Sequence, residues 1–417
     1  MKFRLVKSII TPIFKLSPNW GNTKLANIFN LLIARNTTMN ENIYQDEFKL
    51  SDELYYLNHA GVSPWPVRTA TAVKQFAEEN LIQGSSRYPQ WLDVEKNLRN
   101  QAKNILNAES TDDIALLKNT SEALSVVAYG LDWKSGDNIV SSNQEFPSNR
   151  IVWESLSSKG VEFRQADLTT SSTPEDALFS IVDNRTRIIT VSSVQFSTGL
   201  RMDLERIGEF CKKQDILFCV DAIQSLGALR FDVQEIQADF VIADGHKWML
   251  GPEGLALFYC NPNVRTQLSL QQYGWHMVKH LYDFDRKDWS AVDSARCFEC
   301  GSPNMLGIYA LNASLSLLLE AGMESVEKEV LKRTEHLFNI INSRPELELI
   351  TASALNRYAG IVTLRHKKYD NLPLYNHLMK NKIICAFRSG GIRLSPHFYT
   401  PVDKLDIVID IIMNYVP

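Results

Sequence analysis

The run Phe240-Val241-Ile242-Ala243-Asp244-Gly245-His246-Lys247-Trp248 decides the fold. Phe240–Ile242 reads as a short buried strand, and it leads into a polar segment ending at a lysine, closed by the Gly251-Pro252-Glu253-Gly254 turn. The same texture extends to both sides. Asn138–Ser141, Val161–Arg164, Arg187–Val194, Ile216–Val220 and Leu255–Tyr259 are further short apolar runs rich in β-branched residues. Asn149–Lys159, Pro174–Val182 and Asp203–Gln214 lie between them, with apolar positions three or four residues apart, the spacing of a helix face. Strands that are apolar throughout are covered on both faces. The alternation therefore predicts an α/β fold with a mainly parallel central sheet and helices on both faces. In such sheets ligands gather beyond the carboxyl ends of the strands, which is where Lys247 stands.

The texture changes after Gly301. Ser302-Pro303 reads as a helix N-cap with proline in the first position, and the apolar run Met305–Leu319 stops at Gly322, predicting a long helix between two domains. Farther on, helical periodicity over Glu327–Asn342, Leu372–Lys380 and Val402–Tyr415 flanks strand-like runs at Gly360–Leu364, Ile383–Phe387 and Gly391–Leu394. The expected organisation is an N-terminal basic extension over 1–48, a large domain over 49–305 and a smaller C-terminal α/β domain over 306–417.

Composition narrows the function. With 417 residues, 45% of them hydrophobic and 22% charged, the chain can bury a large core. A net charge of -4 supplies no global positive field, so nucleic acid is not an expected partner and small molecules are. No apolar run approaches the length of ~18 residues that a membrane helix needs, so no membrane span is expected. The cysteines Cys211, Cys219, Cys260, Cys297, Cys300 and Cys385 are dilute and mostly sit in apolar runs, which suits a reducing compartment. The first forty residues carry Lys2, Arg4, Lys7, Lys15, Lys24 and Arg35 without an acid, but Pro12, Lys15, Pro18 and Asn19 interrupt any secretory core. The expected location is cytoplasmic, with two readings of the extension left open: an organelle-targeting segment over 1–38, or a dispensable stretch upstream of a start at Met39.

Three features carry chemistry. Lys247 alone is an ordinary loop lysine, and its companions change that reading. Asp221, in Phe218-Cys219-Val220-Asp221-Ala222-Ile223-Gln224, places an acid at the end of another buried strand, where a carboxylate needs a cationic partner. Lys118-Asn119-Thr120-Ser121-Glu122 opens a helix; Asn119 and Glu122 stand at capping-box spacing, while the first-turn N–H groups with the Thr120 and Ser121 hydroxyls can seat a phosphate. No G-x-G-x-x-G or Walker loop is present. A lysine amine, a buried acid and a phosphate seat at the ends of one sheet are the parts that hold pyridoxal 5′-phosphate. The lysine forms a Schiff base with the cofactor aldehyde, and the acid keeps the pyridine nitrogen protonated.

On these residues the chain resembles the fold-type I, class V aminotransferase superfamily, the group of cysteine desulfurases, isopenicillin N epimerase-like proteins and kynureninase. The likeness runs from about Leu57 to Ile411. Further matching segments are Tyr56–Gly61, Glu145–Asn149, Gln195–Gly199, Phe298–Asn304 and Gly391–Tyr399. The resemblance implies that Lys247 carries the cofactor and shuttles the substrate Cα proton. By the same likeness Asp221 meets the pyridine nitrogen, Gln224 meets the ring hydroxyl and Phe146 stacks on the ring. Thr120, Ser121 and His246 would hold the phosphate. Ser302 matches a hydroxyl reaching the phosphate of a neighbouring subunit, which implies a homodimer. Arg393 matches the arginine that pairs with the α-carboxylate of an amino-acid substrate, a bidentate task suited to a guanidinium. Arg388 is a second candidate, and Asn58 and His59 would line the substrate side.

Two departures from the family pattern bear on the reaction. Desulfurases carry a nucleophilic cysteine between the positions of Arg388 and Arg393, and here that segment is Ser389-Gly390-Gly391-Ile392. Cys385 precedes it inside an apolar run and reads as buried. Asp244 stands where many members have a phosphate-touching Ser or Thr, and an anion there is expected to turn away, toward His246. Cys297-Phe298-Glu299-Cys300 has metal-ligand spacing without a second pair, so no metal is expected. The leading expectation is an aminotransferase or epimerase-like enzyme. The alternatives are a cysteine desulfurase or selenocysteine lyase type, or a non-catalytic relative.

Overall fold

A computed structural model describes residues 44–417, so the basic stretch over 1–43 and the two readings of it lie outside the described residues. The strands in chain order are β1 Tyr55–Tyr56, β2 Ile114–Leu117, β3 Asn138–Ser142, β4 Glu162–Ala166, β5 Thr186–Ser192, β6 Leu217–Asp221, β7 Phe240–Asp244, β8 Ala256–Cys260, β9 Leu347–Leu349, β10 Val362–His366, β11 Ile383–Ile384, β12 Ala386–Arg388 and β13 Gly391–Leu394. Seven of them form the central sheet in the order β2-β8-β7-β6-β5-β3-β4. The strands from β4 through β7 pair in parallel, and β8 runs against both β7 and β2. Thus β8 alone is reversed, and the carboxyl ends of the other strands share one edge of the sheet. The interior strands are buried at every position or nearly so, as their unbroken apolar sequences demand, while the edge strand β4 is partly exposed.

The helices start where their caps stand. Asp203 accepts a hydrogen bond from the Arg206 N–H at the head of Leu204–Gln214, and Thr173 accepts from Asp176 ahead of Pro174–Ser180. The long helix is Met305–Ala321, capped by Asn304 accepting from the Gly307 N–H. The expected cap, Ser302, lies upstream in an exposed loop, because Asn304 offers the side-chain oxygen at the right spacing.

Glu47–Pro417 is one compact unit with two hydrophobic cores. The first lies around the central sheet and includes Leu124, Ile139, Trp153, Phe240 and Phe258. The second lies around the four-stranded sheet β12-β13-β10-β9, with Leu337, Val362, Ile392 and Leu405. Two expected boundaries shift. Met305–Ala321 packs on Val67–Gln83 and Tyr88–Leu106 and so belongs with the large part. Tyr55–Leu57 crosses the other way: β1 pairs in parallel with β11, and Leu57 is buried in the second core. The crossing brings Asn58 against Ser395. No single helix among the described residues is long and apolar enough to cross a membrane.

Candidate active site

Because β6 and β7 are parallel neighbours, Asp221 and the Asp244–Lys247 segment emerge side by side. Ser192 ends β5 opposite Asp221. Leu117 pairs with Ala256, opposite the end of β7, so the helix Thr120–Gly130 that follows β2 starts at the same edge. The sheet alone therefore gathers Lys247, Asp221 and Thr120.

The lysine is held by its neighbour. Trp248 is fully buried; its indole N–H donates to Gln224 Oε1 at 2.9 Å, and its carbonyl lies 3.0 Å from His397 Nε2. Two glycines make room for it. A Cβ on Gly227, whose φ is +96°, would stand 2.4 Å from the Trp248 carbonyl oxygen, and one on Gly360 would stand 2.3 Å from the indole ring. Lys247 itself is 8% exposed, with Nζ 5.5 Å from the centre of the Phe146 ring. Phe146 is 38% exposed and meets Phe196 edge to face, so its open face is available to a planar ligand.

Charge in the pocket is out of balance. Asp221 is 1% exposed and accepts from the Ile223 N–H at 3.1 Å. Burial pushes its carboxyl up to about 7, against the opposing pull of that N–H and of Lys247. Burial pulls the Lys247 amine down to about 8, Asp221 opposes this, and Arg393 and Arg388 reinforce it. At the helix start Asn119 accepts from the Glu122 N–H, while Glu122 reaches back to the Lys118 N–H, so the cap and an anion seat coexist. Thr120 Oγ1 is buried without a hydrogen-bond partner, and Ser121 is exposed with its hydroxyl donating to Ser148.

These residues fit pyridoxal 5′-phosphate. Thr120 offers an orphaned hydroxyl at a helix N-terminus, Lys247 a desolvated amine, Asp221 a carboxylate short of donors and Phe146 an open ring. His246 Nδ1 lies 3.0 Å from Asp244 Oδ1, so Asp244 does turn to the histidine. Gln224 is 1% exposed, and one of its amide hydrogens is committed to the Ala60 carbonyl, leaving the other free.

On the substrate side, Arg393 is 2% exposed. Its Nη1 donates to the Phe196 carbonyl at 2.6 Å and Nη2 to Asn58 Oδ1 at 3.2 Å, while Nε has no partner. Asn58 and Arg393 are thus brought together. His59 is placed differently from the expectation. It is fully buried, with Nδ1 at 2.8 Å from the Ser395 carbonyl and Nε2 at 2.7 Å from the Tyr399 hydroxyl, so both ring nitrogens are taken by the protein itself. Its ring is held neutral, lowered to about 4 by burial. Ser302 is exposed on the loop before the long helix, and Arg388 is exposed on the β12–β13 hairpin.

Cys385 is 2% exposed with its thiol pushed up to about 12 by burial, so the hairpin carries no reactive thiol. Glu95, His276 and Glu299 converge near the other cysteine pair, but Arg99 donates to both carboxylates at 2.7 Å and neutralises much of that charge. A cavity of about 910 Å³, lined by Arg201, Glu205, Arg230, Glu327 and Arg357, includes neither Lys247 nor Asp221, and within it Arg201 pairs with Glu327.

One residue of the site escaped the sequence reading. Glu145, just before Phe146, is 6% exposed and takes hydrogen bonds from Ser142, Asn149, Gln195 and both the N–H and hydroxyl of Ser192. The rule that singled out Asp221, an acid just past a buried strand, applies equally to Glu145.

A mainly parallel sheet with a buried lysine and a buried acid at its carboxyl edge, and a helix N-terminus with an unpartnered hydroxyl beside them, is the arrangement of a fold-type I pyridoxal 5′-phosphate enzyme. The chain belongs to the aminotransferase class-V family, whose model matches residues 55–398. It is 29% identical over 398 residues to a probable cysteine desulfurase of Methanothermobacter thermautotrophicus, covering 88% of this chain and 96% of that protein. It is 27% identical over 347 residues to an uncharacterized aminotransferase of Bacillus subtilis, covering 81% and 88%. Among solved structures, the Escherichia coli cysteine desulfurase CsdA superposes with a TM-score of 0.80 at 20% identity, covering 90% and 98%. The cystine C–S lyase C-DES, solved with its product cysteine persulfide, superposes with a TM-score of 0.81 at 20% identity, covering 87% and 98%.

Proposed function

We propose that this pyridoxal 5′-phosphate enzyme breaks the Cβ–S bond of a cysteine-type amino acid and does so without a thiol of its own. The relatives shift the weight from the aminotransferase or epimerase-like expectation to carbon–sulfur chemistry, and the observation that carries the thiol-free form is the short Ser389–Ile392 turn beside a buried Cys385. The cofactor, when bound, supplies the electron sink that makes the substrate Cα–H bond acidic.

The chain's own residues supply the rest. Arg393, with two of its nitrogens fixed by Phe196 and Asn58, presents the unpartnered Nε edge to an α-carboxylate. Lys247, its amine lowered to about 8, is near enough to neutrality to take the Cα proton and give one back. Asp221 would hold the cofactor's ring nitrogen, and its buried, donor-poor carboxyl would share a proton with it. Sulfur leaves with the bonding pair and a proton, and with cysteine and water the balanced products are pyruvate, ammonia and hydrogen sulfide.

A second reading, transamination or epimerisation, draws support from the same missing thiol and from the Bacillus subtilis relative. We propose a homodimer in which the exposed Ser302 loop serves the phosphate seat of a second copy. Six unpaired cysteines support a cytoplasmic, reducing location. The test is product analysis with cysteine and cystine. Sulfide with pyruvate, insensitive to alkylation of the protein, is the expected result. Alanine with alkylation-sensitive sulfide would place a protein thiol in the reaction, and amino transfer to a keto acid would establish the second reading.

A further inference from the structure

We infer that the substrate carries a second anionic group, distal to its α-carboxylate, and that Arg388 receives it. The inference rests on the functional reading above and deepens it. In the β12–β13 hairpin Ala386 pairs with Arg393 and Arg388 pairs with Gly391. Side chains alternate along a strand, so Arg388 lies on the same face as Ala386 and therefore as Arg393. The two arginines are diagonal neighbours, about 7–8 Å apart along the hairpin face.

Arg393 is the inner of the two, buried with Nε unpartnered. Arg388 is the outer, exposed at the end of β12, with Nη1 donating to the adjacent Phe387 carbonyl at 2.7 Å. Among the described residues neither guanidinium has a carboxylate within ion-pair distance. Two like charges side by side without an acid repel each other, and an anion between or across them relieves that repulsion. Both also act on the Lys247 amine, which places Arg388 within electrostatic reach of the reacting centre.

The tip of the hairpin is fixed. Ser389, in the left-handed region at φ 50°, has its hydroxyl 2.6 Å from that of Ser197, and Ser197 adjoins the Phe196 carbonyl that holds Arg393. Both arginines are thereby referred to one loop. A monoanionic amino acid satisfies Arg393 alone. An acidic side chain, a sulfur oxyacid or the far carboxylate of a disulfide-linked substrate satisfies both.

The experiment compares succinate with butyrate, a dianion and a monoanion of equal chain length, by calorimetric titration of the protein with and without added pyridoxal 5′-phosphate. Arg388→Gln is expected to weaken succinate by about fivefold or more and leave butyrate unchanged, while Arg393→Gln weakens both. Equal weakening of the two probes by Arg388→Gln would make Arg388 a partner of the α-carboxylate and overturn the proposal. No preference for succinate in the unaltered protein would overturn it as well. Failure to take up the cofactor, seen as no visible absorption band, would sink the functional reading by itself, since the titration without cofactor still decides the role of Arg388.

Discussion

Two carboxylates stand just past neighbouring parts of one sheet, and they are treated in opposite ways. Glu145, after β3, accepts from Ser142, Asn149, Gln195 and twice from Ser192, which saturates both oxygens. Asp221, at the end of β6, accepts from Ile223 alone, with Lys247 as its nearby cation. Both are buried. A saturated buried acid is a scaffold, because its charge is consumed by the protein's own donors. An undersupplied one stores an unmet demand that a ligand can satisfy, which is why perturbed groups gather at functional sites. The carboxylate at β3 is consumed within the fold; the one at β6 is left short of donors.

The largest test of this contrast is Lys247→Ala. It is expected to abolish the visible band of the bound cofactor and to lower turnover by at least about a thousandfold, read from absorption and product release. An unchanged spectrum would remove Lys247 from the site. Next come the two acids. Glu145→Ala leaves buried donors of Ser192, Asn149 and Gln195 unpaired and is expected to cost about 3 kcal/mol or more in chemical denaturation. Asp221→Asn is expected to leave the cofactor-free protein as stable or more so, while turnover falls by about a hundredfold. Equal destabilisation by both substitutions would erase the distinction drawn between them.

The same distinction has a pH signature. The Asp221 carboxyl is raised from 3.8 to about 7 in the folded chain, so between those values the folded state binds more protons than the unfolded one. Stability of the cofactor-free protein contributed by this group is therefore full below about 4 and falls as pH rises toward 7. Lys247, lowered from 10.5 to about 8, works the other way above that range, where its contribution recovers as pH rises from 8. Denaturation curves across this range should show the decline, and Asp221→Asn should flatten its acidic limb.

How much of this was legible follows from what each residue depends on. The parallel strands and Asp221 with Lys247 were readable because a buried strand has an unbroken apolar sequence and a polar residue at its end is conspicuous. β2 went unread as a strand: Ile114–Leu117 is four residues long, and its partner β8 lies far away in sequence. Tyr55–Leu57 lies within the expected large domain yet joins the second core, because its pairing with Ile383–Ile384 is set by tertiary contact alone. His59 stands as a substrate-side residue only through the family likeness. Its two ring nitrogens are taken by Ser395 and Tyr399, partners that no local pattern announces.

The smallest effect sharpens the comparison from the ligand's side. Removing the Phe146 ring while keeping the Glu145 carboxylate should weaken the cofactor without unsettling the fold. Phe146 is 38% exposed and touches Phe196, so Phe146→Ala deletes little buried area. Its expected cost to stability is under about 1 kcal/mol, in line with a partly exposed aromatic pair. Loss of the stacking face should raise the dissociation constant for pyridoxal 5′-phosphate by about five- to tenfold, measured by titration of the visible band. Phe146→Tyr restores the ring and should restore the affinity. If Phe146→Ala instead destabilised the chain as much as Glu145→Ala, the ring would be part of the scaffold and the contrast drawn between Glu145 and Asp221 would not extend to the ring.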